Sequence, residues 1–367
     1  MANDCACCQP PWKFTGGVVP AWITHRKLNL SLSNVWYADH FDGDANPAGG
    51  PESLIGRVID LSTNSSGDVY TVGNAVVSDA LHTISGKKYW KKWLGNTGGF
   101  VSQHDDEFYY YISYLIDTDS NDNVYIAGSW NSSNTLNLRK YNSSHEAVWT
   151  KNMYYTSDPE MIVDADDYIY YKGRNSVLYR LDPDGDVVWY QSPVSSTYHW
   201  SNISVYGTNV MFHYHFGGNS NRIWQLDSEG DHFDSIALDP LVYGTTTLVV
   251  PIFNGTHYYV SALRHIRKYN KGIYSGGTGD NLWTTKDQEE EERCHVNRKG
   301  TVLTSGGRLF SVGTDSIFET DTSDGSLVNK SVPGTGDWTG HEIHHDESSG
   351  LLYNWGRRIR DDGYPYI

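Results

Sequence analysis

Long apolar runs are missing from this 367-residue chain. No window of about 18 apolar residues occurs, so no membrane-spanning helix is expected. Methionine is scarce, at 4 residues. The residues that helices favour are sparse as well, which excludes a coiled coil. Basic side chains number 28 against 44 acidic ones, a net charge of −16 with histidine neutral. That balance opposes nonspecific binding to nucleic acid or anionic lipid, which requires clustered Lys and Arg. Cysteine is nearly absent from the body: of 4 in all, only Cys294 lies beyond residue 8. An internal disulfide framework is therefore excluded. The start, Met1 to Cys5, has neither a basic segment nor an apolar one, so no secretory signal is read there. A G-x-S-x-G nucleophile elbow, a P-loop and a dinucleotide fingerprint are lacking too.

What the chain does have is aromatic mass and glycine. Tyr contributes 27 residues, Trp 13, Phe 10 and Gly 36. This points to strands joined by tight turns, with enough aromatic area to fill a large core.

Self-comparison shows one recurring unit: an acidic turn, an apolar strand, a second strand, another turn, and a strand bearing Trp. One copy runs from Asp117 through Tyr125 and Gly128 to Tyr141, Asn142 and Trp149. Another runs from Val163 through Tyr170 and Gly173 to Asp182, Gly185 and Trp189. An earlier copy begins at Ser66-Gly67, continues through Leu81 to Gly86, and is expected to end near Trp93. Later copies, around Val210–Gly230, Thr256–Trp283 and Asn297–Gly325, are worn but legible, and the first two have lost the glycine after the first strand. The stretch Asp346–Gly356 supplies only the first half of a unit, and Arg26–Trp36 supplies the second half. Seven units of about 40 to 57 residues, each with about four short strands, predict an all-β propeller of seven four-stranded blades. The closing blade is shared between the N- and C-terminal strands, which removes open sheet edges from the ring. The Trp near the end of each unit should wedge between adjacent sheets.

On these residues the chain resembles bacterial seven-bladed β-propeller repeat proteins related to the pyrroloquinoline-quinone-like repeats. The resemblance covers about residues 24–360, on the pattern D-x-x-G-x-V-Y-x-x-G followed by L-x-K-L-D-x-x-G-x-x-W. It suggests a quinone-dependent dehydrogenase, but the repeat is a scaffold, and no cofactor-stacking Trp or dedicated calcium ligand can be assigned.

Residues 1–22 read as an arm and 23–367 as the propeller. The arm carries Cys5, Cys7 and Cys8 ahead of Pro10-Pro11, a stiff and extended step. Three readings are open: idle thiols, disulfides between chains, or metal ligation shared with Cys294 and His295. Alternating Asp and Asn resemble the first half of a calcium loop only loosely, since no bidentate Glu follows at the twelfth position. Asp117, Asp119 and Asn121 are the best metal candidates, with calcium the cation they would take. The same letters are what propeller turns require anyway. His213 and His215, two apart on one strand, and His341, His344 and His345 beside Glu342 are candidates for a transition metal or for acid–base work if they face the channel. Exposed aromatics such as Tyr109–Tyr111 and Tyr198–Trp200 are candidates for a sugar-stacking surface.

The expectation for function is a non-enzymatic interaction component, a rigid disc anchored by its cysteine arm. Its partners would be other structural proteins of an assembly, or further copies of itself. That organisation resembles structural proteins of tailed-phage virions. The alternatives are a carbohydrate-binding or carbohydrate-cleaving propeller and a quinone- or calcium-dependent enzyme.

Overall fold

In a computed structural model the chain forms seven antiparallel sheets arranged as a β-propeller. The structure describes residues 25–28, 34–38, 54–79, 82–83, 88–94, 96, 100–106, 115–129, 135–154, 159–173, 177–192, 199–216, 220–238, 249–262, 265–270, 281–285, 300–312, 316–331, 338–346 and 350–358. The arm with Cys5, Cys7 and Cys8, and also Cys294, lie outside the described residues.

The strands are numbered along the chain. β1 (His25–Leu28) and β2 (Asn34–Ala38) open it. Blade 1 has β3 (Leu54–Thr63), β4 (Val69–Asp79), the short β5 (His82–Thr83), β6 (Lys88–Trp93) and β7 (Phe100–Asp106). Blade 2 has β8 (Leu115–Thr118), β9 (Val124–Ser129), β10 (Thr135–Tyr141) and β11 (Ala147–Tyr154). Blade 3 has β12 (Glu160–Val163), β13 (Ile169–Lys172), β14 (Leu178–Leu181) and β15 (Val187–Gln191). Blade 4 has β16 (His199–Tyr206), β17 (Asn209–Phe216), β18 (Ser220–Leu226) and β19 (His232–Leu238). Blade 5 has β20 (Val249–Phe253), β21 (His257–Ala262), β22 (His265–Asn270) and β23 (Asn281–Thr284). Blade 6 has β24 (Thr301–Leu303), β25 (Leu309–Val312), β26 (Ile317–Thr320) and β27 (Leu327–Ser331). β28 (Trp338–Asp346) and β29 (Leu351–Arg358) complete the set.

Six sheets are plain four-stranded meanders, and blade 1 adds β5 at the end of β4. The first strand of each blade touches the first strand of the next, and β28 returns to β3, so the first strands surround the axis. The closing sheet has the order β2-β1-β29-β28, with His25 opposite Trp355 and Leu28 opposite Leu352. Closure by both ends of the chain, as the repeat predicts, is therefore present.

The turns follow from their side chains. Asp182 Oδ1 accepts the backbone N–H of Asp184 at 3.0 Å and of Asp186 at 2.8 Å. Asp227, Asn142 and Asp164 cap their own turns in the same way. A short acidic or amide side chain at the first turn position thus replaces missing backbone partners, which is why it recurs. Directly after the turn, the pairing of third and fourth strands shifts by one residue in all seven sheets, between Lys140 and Tyr141, for example, or between Arg180 and Leu181. The bulge re-aims the side chain just beyond it.

That side chain is Trp in the well-kept blades. Trp149 lies opposite Lys140, Trp189 opposite Arg180, and Trp283 opposite Lys268. Each basic residue and its Trp donate to one carbonyl in the next blade. Lys140 Nζ (3.0 Å) and Trp149 Nε1 (3.1 Å) meet at Pro183 O. Arg180 Nη1 and Trp189 Nε1, both at 2.8 Å, meet at Ser228 O. Lys268 Nζ (2.8 Å) and Trp283 Nε1 (3.1 Å) meet at Thr322 O. The indole lies flat on the glycine of that next turn. A Cβ on Gly185, Gly230 or Gly325 would stand 3.0, 2.9 or 2.7 Å from the ring, and all three have positive φ. So the glycine serves both a left-handed turn and the approach of the wedge.

Blade 1 departs from the sequence reading. Trp93 is on the third strand, not the fourth, and its Nε1 donates to Thr71 Oγ1 at 2.9 Å within its own blade. The fourth-strand position opposite Lys92 belongs to Ser102. The stretch around Leu81–Gly86 does not supply the strand beside β4 either. His82–Thr83 folds back on the end of β4, and β6 takes the neighbouring place. An inserted hairpin displaced the count by one strand.

Candidate functional site

The first strands carry a belt of buried polar ties around the axis. Asp60 Oδ2 on β3 accepts the N–H of Ile116 on β8 at 2.9 Å. Asp117 Oδ2 on β8 accepts the N–H of Val163 at 2.9 Å, and its Oδ1 accepts from Ser62 Oγ at 2.7 Å. Glu160 Oε2 on β12 accepts the N–H of Ile203 at 2.8 Å. Ser204 Oγ donates to Pro251 O, and Ser261 and Thr301 join their hydroxyls at 2.6 Å. His344 Nε2 meets Thr63 Oγ1 at 2.8 Å and ties β28 to β3. Unmade, each such buried bond would cost about 1–3 kcal/mol, so the belt aligns the blades as well as joining them. Asp60 and Glu160 escaped the sequence reading because they sit inside strands, where no turn signal marks them.

The candidate metal residues fall into two different roles. Asp117 belongs to this belt. Asp119 organises its own turn, accepting from Asn121 N (3.0 Å), Asn123 N (2.9 Å), Asn123 Nδ2 (2.8 Å) and Tyr125 OH (2.9 Å). Lys140 Nζ stands 3.6 Å from the same carboxylate. Burial first, then the negative charge of Asp119, pushes the Tyr125 hydroxyl far above its usual range, so it stays a donor. Asn121 turns outward, and its Nδ2 donates to Asp167 Oδ2 at 2.9 Å. Among the described residues no three His, Cys, Asp or Glu side chains are grouped to hold a metal ion. His213 is buried on β17, a second strand, and so does not line the axis. The side chains of His215, His341 and Glu342, like Tyr109–Tyr111, lie outside the described residues.

The turn face of the disc is acidic. In blade 3 alone the two turns bring Asp164, Asp166, Asp167, Asp182, Asp184 and Asp186 to one end, while Arg180 is buried beneath them. Asp164 is 3.6 Å from Arg180 Nη2, yet burial is the larger influence and raises its pKa above the ordinary value. Neighbouring turns are linked sideways. Ser65 N and Oγ donate to Asp122 Oδ1, and Ser120 N and Oγ donate to Asp167. Asp122 and Asp167 hold left-handed backbone, at φ 61° and 66°, where the other described blades use glycine. Asp tolerates that region better than most residues, and here its carboxylate reaches the preceding blade.

The rim is the second exposed feature. Val148 on β11, Val187, Val188 and Tyr190 on β15, and Leu327 and Val328 on β27 are exposed apolar residues on outermost strands.

No family model matches the chain, and no curated protein matches it. Among solved structures it is similar to BamB from Moraxella catarrhalis, at 13% identity and a TM-score of 0.50, covering 95% of this chain and 96% of that one. A protein of unknown function from Bacteroides caccae aligns at 12% identity and a TM-score of 0.44, over 64% of this chain and 89% of that one. The first likeness extends over the whole ring and establishes a shared propeller fold.

Proposed function

We propose that the chain is a non-enzymatic interaction scaffold: a closed propeller that receives other proteins on its acidic turn face and outer rim. The observation that carries this reading is a division of labour among its polar groups. Those deep in the seams, such as Asp60, Asp117 and Glu160, are engaged in joining blades. The charged and apolar groups left at the surface face outward on turns and edge strands, where a partner would meet them. The fold shared with BamB supports a ring used as a whole rather than as a piece.

The finer form of the proposal is a component anchored in a larger assembly through Cys5, Cys7 and Cys8, of the kind found in a phage tail or virion. The native mass of the purified chain, measured by light scattering with and without reductant, tests it. A defined assembly that falls apart on reduction is expected. A monomer in both conditions that turns over a glycan or a dehydrogenase substrate would overturn it.

A further inference from the structure

We infer that the outer edge of blade 3 is a strand-addition site for an extended segment of a partner protein carrying alternate apolar residues and a basic end. The inference rests on the interaction reading above and deepens it. β15 ends its sheet, pairing with β14 on one side only. Natural edge strands usually carry a charge, most often Lys, that discourages further pairing. β7 has Asp105 and Asp106, β11 has Lys151, β19 has Asp234 and β27 has Lys330, whereas β2 and β23 have no charged residue. β15 reads Val187-Val-Trp-Tyr-Gln191 and also has none, unlike the edges of both neighbouring blades, β11 and β19. It also exposes Val187, Val188 and Tyr190, the last at 66%.

The side chains of this edge are already ordered for an added strand. Trp189 points into the seam with blade 4, against Gly230, so alternation sends Val188 and Tyr190 to the opposite face. There Tyr190 is the outermost of a cross-strand tyrosine row. Tyr171 lies opposite Tyr179, and Tyr179 opposite Tyr190, with ring centroids 6.5 and 6.1 Å apart. Tyr171 is fully buried and Tyr190 is open to solvent. An incoming aromatic side chain would extend the row by one and cover it, as cross-strand aromatic pairs do.

Charge sets the direction. At the start of β15 the turn exposes Asp184 and Asp186, and Lys151 reaches only the second, at 2.8 Å. An antiparallel segment would therefore read, from its N-terminus, an aromatic residue opposite Tyr190, an apolar one opposite Val188, and then Lys or Arg beside the two carboxylates. A second copy of this chain fits worse, because each copy carries a charge of −16.

The test uses the full chain and a fluorescein-labelled peptide, Ser-Phe-Thr-Val-Thr-Lys-Lys. Fluorescence anisotropy should show binding that weakens as salt rises, and the β15 amides should exchange with solvent more slowly in the complex. Val188→Lys and Tyr190→Lys should each weaken binding by about tenfold or more, and Asp184→Asn with Asp186→Asn should flatten the salt dependence. All four side chains lie at the surface, so unchanged melting of the variants shows that the ring is intact. Equal binding by Val188→Lys, or no slowing of the β15 amides, overturns the proposal. So does a dimer of the chain that Val188→Lys dissolves, since the occupant would then be a second copy. If the native chain forms the reductant-sensitive assembly but does not bind the peptide, the edge site falls and the scaffold reading stands.

Discussion

Ser102 and His145 are a compensated pair across the seam between blades 1 and 2. Ser102 holds the fourth-strand position opposite Lys92, where four other blades carry Trp. His145 holds, at φ 65°, the turn position that is Gly185, Gly230 and Gly325 elsewhere. With no indole lying on the turn, a side chain has room there. The imidazole turns back onto blade 1 and meets Trp90 edge-on, at 5.1 Å between centroids. Trp with Gly and Ser with His are two solutions to one packing problem, and the left-handed backbone is common to both.

The two functions of the glycine can be separated by substitution. Gly230→Ala meets both a positive φ of 84° and the Trp189 ring, whereas Gly207→Ala meets only a φ of 59° with open space around it. Gly207→Ala should cost about 1–2 kcal/mol, the left-handed penalty for a residue with a Cβ. Gly230→Ala should cost about 1–3 kcal/mol more, as overpacking does. Equal costs, measured by urea unfolding, would mean that the indole moves aside freely.

The seam solutions should be exchangeable as pairs and not singly. Gly185→His alone drives an imidazole into Trp149, and Trp149→Ser alone leaves a cavity and the Pro183 carbonyl short of one donor. Each should cost about 3 kcal/mol or more. The double variant should be more stable than the sum of the two predicts, by at least about 1 kcal/mol in a double-mutant cycle. Strict additivity would break the link between Ser102 and His145.

Asp117 should matter for stability more than a turn carboxylate does. Asp117→Ala strands the N–H of Val163 in a seam between three blades and leaves the hydroxyl of Ser62 with Thr118 Oγ1 in place of the carboxylate. A loss of about 2–4 kcal/mol is expected, against about 1 kcal/mol for Asp182→Ala in its exposed turn. Comparable unfolding midpoints for the two variants would remove Asp117 from the belt.

A pH effect should come from blade 4. His232 packs on Trp224, with centroids 4.3 Å apart, and burial lowers its pKa below the ordinary 6.5. A histidine whose folded pKa is depressed binds its proton better when unfolded. Its stabilising share is therefore present above the unfolded pKa and is lost as pH falls through about 6.5 towards the folded value. Compared with the native chain, His232→Gln should lose less stability between about pH 7.5 and about pH 5.5. Parallel pH profiles for the two proteins would contradict this.

The repeat was legible because it is written in residues with steric or capping duties. Asp182 caps, Gly185 turns left-handed, and Trp189 wedges, so each leaves a letter that composition alone would not. The ring closure was legible for the same reason. What hid was whatever shared its letter with another role. Trp93 and Trp149 look alike in sequence, yet one packs inside its blade and the other between blades. Asp117 and Asp119 stand two apart in one acidic run, but one lies on a strand reaching across seams and the other in a turn folding on itself. The edge of blade 3 gave no motif at all, since its distinguishing mark is a charge that neighbouring edges have and β15 lacks.

The closing sheet sets an order of events during synthesis. β1 and β2 are the first described strands to emerge from the ribosome, and β29, the strand that must lie against β1, is the last. Until then the young hairpin has no permanent neighbour, and blade 1 must wait with an uncovered flank. Such distant pairing is slow and leaves sheet edges open to wrong partners meanwhile. The nascent chain thus passes its longest vulnerable interval as an unfinished arc, and β28 and β29 turn that arc into a ring.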